Sequence, residues 1–327
     1  MVGAYLCLKQ KGYFVLAKLE NFNTHQLADI VAQLPINSPY IIEPVHEGYS
    51  STCFFIKTKE KLLCLRLYNL DDFPCLLQEV DALEFCSAKG LPVPRLLQWE
   101  SGSVIYKFKN VLAICYICIE GRSVKQNELN PVIAAQAGKL LSNFLKCATS
   151  YNRDTTARDE VTYVHQRYEA QYEKVQSCLD RSLIHKINDI LRERRFDQNL
   201  QCLTKGLVHG DFYYGNVIIK DHHLCGIIDF GDSYLGAPFF DIVTGAMEFS
   251  CNNKQQIDFD CLQAFIMPLR DFLLKEHITA PVFYHAMLLM CLKFLLLTLG
   301  QHNENDYTKR MENLISGAVK GKIKHFF

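Results

Sequence analysis

The chain has 327 residues, 49% of them hydrophobic, with Lys+Arg 35 against Asp+Glu 35. Such a length buries a large core and is long for one domain, so two lobes are expected. A formal charge of zero gives no global field to attract nucleic acid or an anionic membrane, and neither is expected as a partner.

Residues 1–16 are apolar but broken by Lys9 and Lys11, and an extra strand or an added arm is expected over 1–23. Residues 24–34 carry Leu27, Ile30, Val31 and Leu34 at helical spacing, with Pro35 as the stop. Strand-like runs follow at 40–45, 52–58 and 62–68, and Lys59, Glu60 and Lys61 make the turn between the last two. Residues 72–89 read as a helix, with Gly90 at its stop and Pro92 and Pro94 beyond. Strands resume at 96–99, 104–107 and 111–119. The sum is a mostly antiparallel sheet with one inserted helix. Cys115 and Cys118 form a CxxC inside the last strand, where residues three apart face opposite sides and do not share a metal. The 14 cysteines are otherwise scattered and no secretory signal is read, which points to free thiols in a reducing cytoplasm.

Glu120-Gly121-Arg122 breaks the strand pattern, and the expected division is 1–120 and 121–327. A helix is expected at 131–146, with Pro131 in its first turn. Residues 158–195 have helical periodicity, and the chain reads as helical from Ile242 onward. Residues 207–209 and a hairpin at 217–228 are the strand signals in this half. The most apolar stretch, 282–300, carries Tyr284, His285 and Lys293 and reads as a buried core helix rather than a membrane span.

The stretch LVHGDFYYGNVIIKDHHLCGIIDFGDSYLGAPFFD, 207–241, holds the chemistry. Asp211 stands five residues before Asn216 on one loop, so a base and a metal ligand fall side by side. Asp229 follows a hairpin and can close a metal site. Phosphoryl transfer from a nucleotide needs this set: a group that orients the acceptor hydroxyl, and oxygen ligands for magnesium. Taken singly, Asp211 beside Gly210 and Asn216 beside Gly215 also read as turn residues. Asp229 ends the run Gly-Ile-Ile, and Asp is a poor strand former, so it reads as a turn or a metal ligand.

HGDFYYGN (209–216), IDFGD (228–232) and Gly236, Pro238 and Asp241 resemble, in that order, the HGDxxxxN loop, the ID[FW]xx metal motif and the GxPxxD of the aminoglycoside phosphotransferase and choline kinase-like family. The resemblance runs from about residue 24 to the final helices. It implies an α+β, two-lobed, protein-kinase-like fold, with an N-terminal antiparallel sheet carrying one helix and a larger, mainly helical C-terminal lobe. It implies a small-molecule kinase using ATP, with GTP an open alternative, and Mg2+. Asp211 is the implied base, and Asn216 and Asp229 the metal ligands. His209 holds the loop in shape, and Asp241 bonds the loop backbone or caps the helix ahead of Ile242. Asp232 has three readings: a water-mediated metal contact, a contact to a substrate amine, or a cap.

On the nucleotide side, HEGYSST (46–52) lies where the family has a loop over the phosphates, so Gly48, Ser50 and Ser51 are candidate contacts; alone, the segment reads as a β-turn. Arg66 stands where the family usually has a lysine, and Glu79 on the next helix is its expected ion-pair partner. Ile119 and Glu120 belong to the connector whose amides, from Cys118 on, would meet the base edge. The acceptor is a small hydroxylated molecule: an amino alcohol, an amino acid such as homoserine, a sugar-like metabolite or an aminoglycoside-type antibiotic. Acidic and basic residues balance from Asp241 to the end, which does not single out a strongly anionic pocket. The rival reading is a catalytically silent kinase-like module that binds a nucleotide or a partner, with Arg66 as its support. A protein-modifying kinase fits less well, because no Arg follows His209 and no APE segment is present.

Overall fold

Alternation within one strand, Leu62–Asn69, sets the geometry of the first part of the chain. Leu63, Leu65 and Leu67 point to one face, and Cys64, Arg66 and Tyr68 to the other, as a period of two requires. The leucines join Leu27, Ile30, Val31, Ile56, Trp99 and Ala113 in one core cluster. On the opposite face, Tyr68 packs with Leu76, Val80, Leu112 and Ile114. Burying a leucine fully is worth about 1.5–3 kcal/mol. A slip of one residue would swap the two buried faces, carrying the three leucines onto the Tyr68 side and driving Arg66 into the apolar layer, so the register is tightly fixed.

The structure is a computed structural model that describes residues 24–36, 39–45, 52–153, 157–300 and 304–327. The expectations for residues 1–23 and for Gly48, Ser50 and Ser51 fall outside these described residues.

The chain groups into two compact units. The first runs to Glu120 and takes in Gly226–Asp232. Its sheet is antiparallel throughout. Ile41–Pro44, Thr52–Lys57, Leu62–Asn69, Val111–Ile117 and Arg95–Leu96 lie side by side in that order, and Tyr106–Phe108 also pairs with Val111–Ile117. Helix Thr24–Val31 covers one face and helix Phe73–Ala88 the other. The first helix is shorter than its apolar spacing suggested, because i→i−3 bonds from Gln33 and Leu34 tighten its last turn ahead of Pro35. The strand expected at 96–99 is confined to Arg95–Leu96, since Trp99 turns back to bond Ser103. Cys115 is buried in its strand, and Cys118 lies past the strand's end.

The second unit comprises Gly121–Cys225 and Ser233–Phe327. Its longest helix, Ala280–Thr298, is apolar on all sides and packs against helices Glu160–Ala170, Phe239–Glu248 and Glu304–Ile315. Among the described residues it is the one helix long and apolar enough to cross a membrane, and most of it is buried against its neighbours. Helix Pro131–Ala148 is capped by Asn130, whose side chain accepts from Val132 and Ile133. It approaches helix Phe259–Ile266 so closely that a Cβ on Gly138 would lie 2.1 Å from the Phe265 carbonyl oxygen.

Residues 158–195, read from sequence as one helical stretch, form Glu160–Ala170, Tyr172–Cys178 and Arg181–Leu191, with Arg194–Gln201 opening at its end. Charged helix formers continue through each break, so periodicity alone does not show the interruptions. Two short strands carried no sequence signal. Arg122–Ser123 pairs with Ile218 and Ile219, and Tyr234–Gly236 pairs with Gly206–Val208. At two or three residues each, they are too short to display alternation.

Candidate active site

In the second unit, strand Gly206–Val208 delivers the chain into His209 at the floor of a tightly bonded loop. Asp241 is buried and receives two backbone N–H groups: His209 N–H donates to Oδ2 at 2.7 Å and Gly210 N–H to Oδ1 at 2.9 Å. Asp241 sits in the first turn of helix Phe239–Glu248, two residues past its start, so it is not the N-cap that the sequence also allowed. Burial raises the Asp241 carboxyl, while His209 and the two N–H bonds pull it back only in part.

Gly210 has φ +86°, in the left-handed region that a side chain resists. That turn brings the Asp211 N–H to His209 Nδ1 at 3.3 Å. The imidazole accepts at Nδ1, so in its neutral form its proton is on Nε2. Asn216 then closes the loop, its Nδ2 donating to the Asp211 carbonyl oxygen at 2.9 Å and to Asp211 Oδ2 at 3.0 Å. The amide end of Asn216 thus orients Asp211, a contact the sequence reading, which considered only the carbonyl end, did not include. Phe212 is fully buried and packs on the rings of Phe249 and His209.

A further member was missed. Lys293, in helix Ala280–Thr298, donates from Nζ to the Gly210 carbonyl oxygen at 3.2 Å and pairs with Glu160 Oε1 at 2.8 Å. Glu160 Oε2 meets Arg158 Nε at 2.7 Å. Burial acts to raise the Glu160 carboxyl, but Arg158 and then Lys293 outweigh it and hold it down at about 2. One Lys within an apolar helix was the available signal.

In the first unit, Arg66 and Glu79 meet, with Nη1 at 3.1 Å from Glu79 Oε1. The same Nη1 lies 2.7 Å from Asp229 Oδ1. Tyr68, also unnoticed in the sequence, donates its hydroxyl to Glu79 Oε2, and the Arg66 guanidinium stands 5.6 Å from the centre of its ring. Tyr68 is two residues past Arg66 and therefore on the same face. Burial raises the Glu79 carboxyl despite Arg66, whereas the guanidinium is held firmly charged against burial by Glu79, Tyr68 and Asp229. Asp229 has φ +87° and a side chain 44% exposed. A non-glycine residue held in this region stores strain of about 1–3 kcal/mol, a feature that clusters at functional sites. A Cβ on Gly231 would come within 2.9 Å of Arg66 Nη2, so the glycine of IDFGD makes room for the arginine.

Asp232 is exposed and is followed by strand Tyr234–Gly236, which removes the cap reading. Ile119 and Glu120 lie beyond strand Val111–Ile117. The Cys118 N–H is already bonded to the Leu62 carbonyl at 2.9 Å, which takes it out of the connector amides proposed for a base edge.

The family model described as "Phosphotransferase enzyme family" matches residues 41–259. The chain belongs to this family. This phosphotransferase is 21% identical over 230 residues to a homoserine kinase of Methylobacillus glycogenes, covering 69% of each protein. It is 22% identical over 227 residues to a homoserine kinase of Methylobacillus flagellatus, covering 69% of this chain and 68% of that one. In fold it resembles an aminoglycoside 2'-phosphotransferase-IIIa mutant in a GDP complex, with TM-score 0.67, 17% identity, and coverage of 91% of this chain and 97% of that one. It likewise resembles a microcompartment-associated aminopropanol kinase, with TM-score 0.66, 12% identity, and coverage of 93% and 97%. A third likeness is amicoumacin kinase hAmiN with AMP-PNP and Ca2+, with TM-score 0.64, 14% identity, and coverage of 92% and 94%. The phosphotransferase has the protein-kinase-like α+β fold of these enzymes.

Proposed function

We propose that this phosphotransferase moves the γ-phosphoryl group of ATP to a hydroxyl of a small amine-bearing metabolite, with an amino acid such as homoserine or an amino alcohol as the leading acceptor class. The observation that carries the reading is the fixing of Asp211. Its backbone is bonded through His209, and its carboxylate and carbonyl oxygens are held by Asn216. A carboxylate held this rigidly serves a transfer whose loose transition state asks more for orientation than for strong basicity. The acceptor oxygen forms its bond to the γ-phosphorus as the bond to the β–γ bridging oxygen breaks. ADP departs, and the acceptor proton passes to the Asp211 carboxylate.

Asn216 and Asp229 are proposed as oxygen ligands for Mg2+. The donor types fit, since an amide oxygen and a carboxylate are the hard ligands this ion prefers. Bound there, the ion would neutralise phosphate charge. Arg66, paired to Glu79, supplies a protein cation for the phosphates, and Gly48, Ser50 and Ser51 are proposed contacts to them. Ile119 and Glu120 are proposed at the base edge, with GTP the competing nucleotide. Asp232 is proposed as an exposed carboxylate for a water-mediated metal contact or a substrate amine. The reducing cytoplasm remains the proposed location. The amine-bearing acceptor draws its support from the homoserine kinase relatives and the aminopropanol kinase likeness.

A coupled assay of ADP release over hydroxylated amines, amino acids, sugars and aminoglycosides tests this. At least one amine-bearing hydroxyl compound is expected to be turned over. Asp211→Ala is expected to lose on the order of a hundredfold or more in turnover while keeping nucleotide binding. Silence across the panel, or more than roughly a tenth of turnover left in the variant, contradicts the assignment.

A further inference from the structure

Lys293 is the only Lys, Arg, Asp or Glu in helix Ala280–Thr298, and it is 5% exposed. An ammonium buried at such a site costs several kcal/mol unless it is paired and hydrogen-bonded. Pairing with Glu160 Oε1 accounts for only part of it, because Arg158 already meets the other oxygen of that carboxylate. Fold stability does not ask for it, since well-packed apolar residues commonly match or exceed a buried ion pair. What no apolar residue could supply is the bond to the Gly210 carbonyl oxygen.

That oxygen belongs to the peptide plane joining Gly210 to Asp211. The other end of the plane is the Asp211 N–H, bonded to His209 Nδ1. The N–H of the preceding peptide is bonded to Asp241. Asp241 therefore accepts from the loop's N–H groups and Lys293 donates to its carbonyl, and together they fix the plane from which the Asp211 side chain departs. The left-handed φ of Gly210 makes such fixing necessary, because glycine alone leaves that plane free to rotate.

We propose that Lys293 is a positioning residue for phosphoryl transfer, a buried cation that clamps the Gly210 carbonyl and thereby aims Asp211. The assignment rests on the proposed role of Asp211. Arg158 and Lys293 share the Glu160 carboxylate, one on each oxygen, which holds the Lys293 ammonium in place beneath the loop.

The test uses the full chain carrying Lys293→Met, and Lys293→Met combined with Glu160→Gln, which removes the carboxylate left short of a partner. Amide hydrogen exchange and steady-state kinetics are read side by side. Exchange at the Asp211 amide is expected to speed up by roughly tenfold or more in both variants, with the amides of helix Ala280–Thr298 unchanged. kcat is expected to fall by about a hundredfold, as for a reacting group displaced by an ångström, with KM for nucleotide and acceptor within about twofold. A folded variant with wild-type exchange at Asp211 and wild-type kcat overturns the assignment. Failure of both variants to fold also overturns it, because Lys293 would then serve stability. The exchange arm does not need turnover, so an inactive wild type would count against the functional reading while Lys293 is still decided.

Discussion

A single nitrogen, Nη1 of Arg66, serves both Glu79 and Asp229. The family's usual lysine also presents one nitrogen, so the substitution is milder than the difference between a planar fork and a point charge suggests. Arg66→Lys is accordingly expected to keep turnover within about tenfold of wild type. Arg66→Ala is expected to cost about 3–5 kcal/mol of stability, because Glu79 stays buried without its cation, and to raise the nucleotide KM. Thermal denaturation and initial rates measure both; an alanine variant with wild-type stability and KM would remove Arg66 from the nucleotide site. The Arg66–Glu79 pair was legible through the family resemblance, which sets a cation on this strand against a carboxylate on the helix that follows. Asp229 as a third partner was not, because a contact across 163 positions leaves no local period to read. Asn216 was legible as a loop residue of the right type. Its hold on Asp211 was hidden because one amide carries both an acceptor and donors.

Among elements, the start of helix Glu160–Ala170 and the middle of helix Ala280–Thr298 share the Arg158–Glu160–Lys293 cluster. Glu160 is held at about 2 against an ordinary 4.5, so the unfolded chain binds its proton more readily than the folded one. Its contribution to stability is therefore complete above about pH 4.5 and lost as pH falls toward 2. Asp197, lowered to about 2 from 3.8 by His165 and His285 against the pull of burial, acts in the same direction. Asp241 and Glu79, both raised by burial, act in the opposite direction. Melting temperatures taken from pH 5 down to 2.5 are expected to fall less steeply in Glu160→Gln than in wild type; parallel curves would rule out the ion cluster as an acid-sensitive element. The helices themselves were legible where apolar spacing was regular, as at Pro131–Ala148. Their breaks and the two- and three-residue strands were not, because charged helix formers and very short pairings leave no pattern behind.

For the whole molecule, the α+β kinase-like class was legible because three motifs of fixed spacing, His209–Asn216, Ile228–Asp232 and Gly236–Asp241, fall in order within one stretch. A ligand that binds only the folded chain raises its melting temperature by mass action. ATP with Mg2+ is expected to raise it further than ATP alone. Asp229→Asn is expected to lose most of that magnesium-dependent increment, because a carboxylate becomes a neutral amide. An unchanged increment in the variant would take Asp229 out of the metal site.

The first unit is discontinuous: its chain up to Glu120 is joined by Gly226–Asp232, where the Ile227 N–H bonds the Pro92 carbonyl and Asp229 meets Arg66. On the ribosome this sets an order of events. At roughly 5–20 residues per second, the sheet emerges on the order of ten seconds before the segment that finishes it. During that interval Asp229 is not yet there to meet Arg66, and the Ile227 N–H is not yet there for the Pro92 carbonyl. A nascent chain stalled ahead of Gly226 carries a first unit that still lacks its last segment.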